Sequence, residues 1–256
     1  MAGKTKINGT AYTINGGKTK VGGTAYSING GKILKGGTGY DISFSRLPSA
    51  YQEVEYIEST GTQWIDTGVL NDTNIGCEAE FAITSSRGNF MQTIWGSHLY
   101  KSGNTNYLNI SHYNPPTNSI YAYLGAQYAY PYARCILGTK YFMQENLNHD
   151  LKFKMGTDLQ NLTTYYNMTD GAQNLNLNAL IFAFNFVIGG TYGSDISAYA
   201  SCMRLYRFKM TQGSTLIRDF IPCYRKSDGV AGLYDLISKR FYTNAGTGTF
   251  TKGPNV

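Results

Sequence analysis

The chain has 256 residues, with 22 Tyr, 12 Phe and 30 Gly, and its 22 basic and 16 acidic side chains give a formal net charge of +6. That length accommodates one large domain plus an appendage, and the aromatic, Gly-rich composition favours strands over helices. No run of 18 apolar residues marks a membrane span, and the N-terminus lacks the apolar stretch of a secretory signal, so neither a membrane partner nor signal-directed export is expected.

Three near-copies of a 14-residue unit open the sequence: GKTKINGTAYTING (residues 3–16), GKTKVGGTAYSING (17–30) and GKILKGGTGYDI (31–42). Residues 1–46 hold seven Lys or Arg and one Asp, so removing them from the totals of 22 and 16 leaves 15 of each sign downstream. All excess positive charge therefore lies in residues 1–46. Each unit reads as two very short strands joined by Asn-Gly or Gly-Gly, pairs suited to type I′ turns. Tyr12, Tyr26 and Tyr40 recur at one place, each followed two residues later by Ile14, Ile28 or Ile42, which puts Tyr and Ile on one strand face. A β-meander or short β-solenoid is expected, too small to complete a core unless it intertwines with copies of itself or docks on another protein.

Lys4, Lys6, Lys18 and Lys20, with Tyr12, Tyr26 and Tyr40, are the candidate attachment residues. The lysines, Lys32 and Lys35 included, admit three readings: protection of strand edges, contact with an acidic protein surface, and nucleic-acid binding. The last is the least favoured, because no RNA- or DNA-binding motif accompanies them.

From Tyr51 onward, aromatic-rich runs of alternating character are punctuated by Gly, Asn and Pro. Strands are expected at 54–57, 62–67, 77–83, 107–111, 119–124, 151–155, 163–167, 179–188, 202–210, 216–222, 233–236, 240–243 and 248–251. Helical turns are expected only near 141–148 and in the loop 169–178. The fold class is all-β: short hairpin repeats over 1–46, then a two-sheet β-sandwich or jelly roll over 47–256.

Two segments carry a resemblance: LPSAYQEVEYIESTGTQWIDTG (47–68) and PCYRKSDGVAGLYDLISKRFYTNAGTGTF (222–250). They resemble the opening and closing segments of concanavalin A-like, laminin-G-like jelly-roll domains common in tailed bacteriophages and prophages of gut Firmicutes. The repeat GKTKVGGTAYSINGGK is similar to repeats that precede such domains in phage structural proteins. The resemblance implies a virion context and a jelly roll whose first and last strands lie side by side. On that view 63–67 and 241–250 are neighbours, and Trp64 and Tyr234 belong to the core.

Several residues invite chemistry. Glu53, Glu55 and Glu58 superficially match the E-x-D-x-x-E signature of laminarinase-type glycosidases. Glu55 replaces the Asp, however, and Glu58 falls on the opposite strand face from the other two, so a solvated edge strand is the better account. Lectin-like composition occurs at Trp95, His98 and Tyr100 with Asn104 and Asn106, and again at Tyr121, Tyr123, Tyr128, Tyr130 and Tyr132. The alternative is that these tyrosines lie half-buried on a sheet or at a subunit interface. Cys77, Cys135, Cys202 and Cys223 lack CxxC spacing and read as buried reduced thiols. His98, His112 and His149 are isolated, and Asp66, Asp228 and Asp235 lie outside any Ca²⁺-loop pattern. No metal or cofactor is expected.

These readings converge on a non-catalytic bacteriophage virion protein, made in the host cytoplasm and carried on the virion surface at head or tail. Residues 1–46 would bind other virion proteins, and the body would meet host-surface or mucus glycan. A homo-oligomer is expected, and a trimer suits fibre geometry. The alternatives are a capsid-decorating cement protein that binds no glycan and, behind it, a laminarinase-like hydrolase.

Overall fold

The computed structural model describes residues 3–7, 10–14, 17–21, 24–28, 30–35, 38–43, 46–70, 74–87, 91–101, 104–113, 119–125, 127–146, 152–167, 180–185 and 199–256. They fall into two compact units, Met1–Tyr51 and Gln52–Val256. Among the described residues there is no α-helix.

In the first unit, β1 (Gly3–Ile7) pairs antiparallel with β2 (Thr10–Ile14), β3 (Gly17–Val21) with β4 (Thr24–Ile28), and β5 (Gly30–Lys35) with β6 (Thr38–Ser43). The second unit is all-β and sandwich-like, built from two antiparallel sheets. Its strands begin with β7 (Tyr51–Glu53), β8 (Ile57–Thr60), β9 (Ile65–Leu70), β10 (Ile75–Ile83), β11 (Gln92–Lys101) and β12 (Asn104–Tyr113). Then come β13 (Ser119–Gly125), β14 (Gln127–Arg134), β15 (Tyr141–Asn146), β16 (Lys152–Gly156), β17 (Thr163–Asn167) and β18 (Leu180–Ala183). The last are β19 (Cys202–Gln212), β20 (Thr215–Arg225), β21 (Ala231–Asp235), β22 (Arg240–Thr243) and β23 (Thr251–Lys252).

The larger sheet runs β17-β16-β15-β10-β19-β20-β21-β22, with β8 against β19, β23 against β8 and β7 against β20. The smaller runs β14-β13-β12-β11-β18-β9. Between them lies the core. The Trp95 ring of β11 sits 5.8 Å from Phe208 of β19, Phe208 stacks on Phe220 at 6.0 Å, and Tyr242 meets Phe220 edge-on at 5.1 Å. Such offset and edge contacts suit the aromatic quadrupole. Trp64 and Tyr234 are buried, as the sequence leads one to expect.

The two ends of the second unit close on each other. Thr251 and Lys252 pair with Glu58 and Ile57, Gly253 N donates to Tyr56 O, Glu55 N to Pro254 O, and Val256 N to Glu53 O. With the Val54–Asn255 bridge, the tail forms a nearly continuous antiparallel partner for residues 53–58. One step inward, Ala245 N donates to Trp64 O and Thr247 N to Thr62 O, while Asn244 Oδ1 accepts from Trp64 N. Residues 63–67 and 241–250 are thus neighbours, although β9 takes β18 as its sheet partner and β22 takes β21.

Two expectations need correction. Residues 141–146 form strand β15, flanked by β10 and β16, where a helical turn is expected. The reason is alternation: Tyr141, Met143 and Glu145 are buried while Phe142 and Gln144 are half-buried, a period of two. Nor do Glu53 to Glu58 make one solvated edge strand. The chain breaks at 55–56, and β8 is held between β19 and β23. The second helical expectation, at 169–178, lies outside the described residues.

Candidate functional site

Cross-strand register assembles the tyrosine-rich segments. Residues directly opposite in an antiparallel pair share a face, and alternate residues along a strand do the same. On β12, positions 105, 107, 109 and 111 therefore define one face of the smaller sheet. Tyr100 pairs with Thr105, His98 with Tyr107, Gly96 with Asn109 and Thr93 with Ser111. On the other side of β12, Tyr123 pairs with Asn109 and Tyr121 with Ser111, and Tyr123 pairs in turn with Tyr128 of β14. His98, Tyr100, Tyr107, Tyr121, Tyr123 and Tyr128 consequently occupy a single face. Tyr130 falls in the register irregularity between Ala129 and Ala133.

Burial grades across this face. Phe182 of β18, opposite Gly96, is buried. Thr93 and Ser111 are also buried, with their hydroxyls 3.2 Å apart, and Tyr121 at the next strand is half-buried. Ser119 of β13, on the same face, is buried as well. The side chains of His98, Tyr100, Tyr123, Tyr128 and Tyr130 lie outside the described residues, as do those of Asn104, Asn106 and Tyr132.

Trp95 does not belong to this group. It pairs with Ile110, on the opposite face, and is fully buried. A β-irregularity between Thr93 and Trp95 shifts the alternation, so that both Thr93 and Gly96 share the tyrosine face while Trp95 turns inward. Trp95 is a core residue and not a surface platform.

The indole of Trp95 meets a buried carboxylate that no motif in the sequence marks. Trp95 Nε1 donates to Glu145 Oε2 at 3.2 Å, while Glu145 Oε1 has no hydrogen-bond partner. Burial pushes the Glu145 carboxyl up from 4.5 to about 7, against the opposing pull of the indole bond. At 2% exposure this carboxyl is out of reach of a substrate. A second polar cluster lies in the interior. Gln92 Nε2 donates to Ser85 O and contacts His112 Nδ1, and Gln92 Oε1 accepts from Cys202 N. Because both amide hydrogens of Gln92 are committed, His112 Nδ1 accepts and Nε2 carries the proton. Burial lowers the His112 pKa from 6.5 to about 4.

The remaining candidates have structural roles. Glu58 accepts from Arg204 Nε at 2.9 Å, Glu53 belongs to β7, and Glu55 is exposed at the break between β7 and β8, so the three carboxylates do not share a strand. Asp235 Oδ1 accepts from the backbone N–H of Asp219 and Ile237, and Oδ2 from that of Ser238. Asp228 pairs with Arg225 across a turn, and Asp66 accepts from Gly68 N. Among the described residues no three His, Cys, Asp or Glu gather as a metal site. All four cysteines are buried and unbridged, with burial pushing Cys135 and Cys223 up to about 12. Lys4, Lys6, Lys18, Lys20, Tyr12, Tyr26 and Tyr40 lie in β1–β4 and β6, and their side chains are outside the described residues.

No family model matches this sequence, and neither a curated protein nor a solved structure matches it.

Proposed function

We propose that the chain is a non-catalytic adhesion protein of a bacteriophage particle, attached through residues 1–46 and displaying a lectin-like jelly roll that binds carbohydrate. The observation that carries this reading is the register that brings five tyrosines and His98, from four strands, onto one face of the smaller sheet. Aromatic rings offer broad apolar surfaces to the C–H faces of a sugar, and neighbouring Asn and Thr positions supply hydrogen bonds. Weak sites of this kind suffice when many copies act together on one particle. The virion setting is the one implied by the resemblance of segments 47–68 and 222–250 to phage jelly-roll domains. No catalytic role is assigned to Glu58, because its carboxylate is already held by Arg204.

The repeats support the attachment half of the proposal. In the first two strand pairs, Tyr12 stands opposite Thr5 and Tyr26 opposite Thr19, whereas Lys4, Lys6, Lys18 and Lys20 occupy the alternate positions. Each pair so divides into a Tyr face and a Lys face. The third pair departs from this, since Tyr40 stands opposite Ile33 and Lys35 shares the Ile33 alternation. A two-stranded hairpin is marginal alone, so the Tyr face gains its burial from a partner and the Lys face suits an acidic protein surface.

A glycan array probed with the full chain tests the adhesion reading. Binding to neutral glycans is expected, and silence across the array together with retained particle association would replace adhesion with a purely cementing role.

A further inference from the structure

We propose that a hollow over Gly76, on the outer face of the larger sheet, is a second carbohydrate subsite that takes one neutral sugar ring. It lies on the opposite side of the sandwich from the tyrosine face and rests on the reading of the chain as a glycan binder.

The hollow measures about 310 Å³ and is lined by Gly76, Glu78, Gln144, Lys209, Thr211 and Leu216, with Cys77 and Glu145. Register explains its shape. Gly76 stands between Asn146 and Thr211, Glu78 stands between Gln144 and Lys209, and Thr211 pairs with Leu216. Glu78, Gln144, Lys209, Thr211 and Leu216 face outward, while the intervening Cys77–Glu145 pair has its side chains buried in the interior. A missing side chain at 76, surrounded by larger residues on three strands, leaves a depression in an otherwise continuous surface.

The polar groups around it are already fixed. Glu78 Oε1 is 2.9 Å from Lys209 Nζ, and Gln144 Nε2 donates to Glu78 Oε2 at 2.8 Å. Acceptor, ammonium and amide are thereby held in one place, so a ligand need not order them on binding. The Glu78 and Lys209 charges cancel, which removes any preference for an anion or a cation. A polyhydroxyl compound that both donates and accepts fits such a lining. Leu216, 37% exposed, supplies an apolar wall for the C–H face of a pyranose ring. The volume is that of a small ligand cleft and suits a single sugar unit better than a chain.

The test is saturation-transfer NMR and calorimetric titration of the full chain with glucose, galactose, mannose and N-acetylglucosamine. Gly76→Val fills the hollow, and Leu216→Asp, a substitution at an exposed position, removes the apolar wall without touching the core. Tyr121→Ala alters only the tyrosine face. At least one of these sugars should bind wild type, and in a Tyr121→Ala background, which weakens the tyrosine face, Gly76→Val and Leu216→Asp should each reduce the remaining affinity about tenfold or more. The subsite is overturned if none of them binds wild type, or if both hollow variants bind as Tyr121→Ala alone does. Loss confined to Tyr121→Ala also overturns it, while leaving the tyrosine face as the sugar site.

Discussion

The Trp95 indole and the Glu145 carboxylate join the two sheets of the body by a 3.2 Å hydrogen bond inside the core. Glu145 binds its proton more tightly folded than unfolded, at about 7 against 4.5. The stability this confers is complete below about pH 4.5 and drains away as pH rises through 7, a loss of about 3 kcal/mol. His112 acts in the opposite sense. Its pKa falls from 6.5 to about 4 on folding, so its contribution is complete above about pH 6.5 and is lost toward pH 4, again by about 3 kcal/mol. The two trends nearly cancel between pH 4.5 and 6.5. Denaturant unfolding of wild type should therefore give a flat profile there, while Glu145→Gln should rise with pH and His112→Gln should fall. Parallel profiles for all three proteins would contradict this assignment.

Gly246 lies against Trp64. A Cβ at 246 would meet the Thr62 carbonyl and come within 2.5 Å of Trp64 Cζ3. Both neighbours are tied down, Trp64 by hydrogen bonds to Asn244 and Ala245, so neither can yield cheaply. Gly246→Ala should cost about 2–4 kcal/mol in chemical denaturation. A cost under about 0.5 kcal/mol would mean that the 244–248 turn does not clamp Trp64.

The pairing of the C-terminal tail with residues 53–58 predicts that the tail protects a strand edge. Deleting Thr251–Val256 removes the partner of Ile57 and Glu58 and leaves β8 exposed on one side. Amide exchange should accelerate at residues 53–58, and the shortened chain should self-associate, since an uncovered edge is a template for pairing. Unchanged exchange at those amides would show that β19 alone holds β8.

Much of the fold was legible because strand alternation and turn residues carry it. The run of short aromatic strands announces an all-β body, and Trp64 and Tyr234 read correctly as core. Strand β15 was hidden because Glu145 occupies a buried position of the alternation, which makes an inward row look polar. Trp95 misled because composition groups it with His98 and Tyr100, whereas its odd spacing from both along β11 puts it on the other face. The hollow at Gly76 was equally invisible, because it arises from register among β10, β15 and the β19–β20 pair, segments far apart in sequence.

If the lysine faces of the repeats meet an acidic partner, replacing Lys18 and Lys20 with Glu should weaken loading onto the particle. The defect should deepen at low salt, where like-charge repulsion is least screened, and narrow as salt is raised. Loading that is unchanged at every ionic strength would assign these lysines to edge protection instead.

Sugar binding by the tyrosine-bearing face of the smaller sheet is open to direct measurement. Its most direct test is glycan-surface binding of the full chain against a Tyr121→Ala, Tyr123→Ala double variant whose melting matches wild type. Wild type should show specific, sugar-competed binding that falls about tenfold or more in the variant. Equal binding by the two proteins would contradict it.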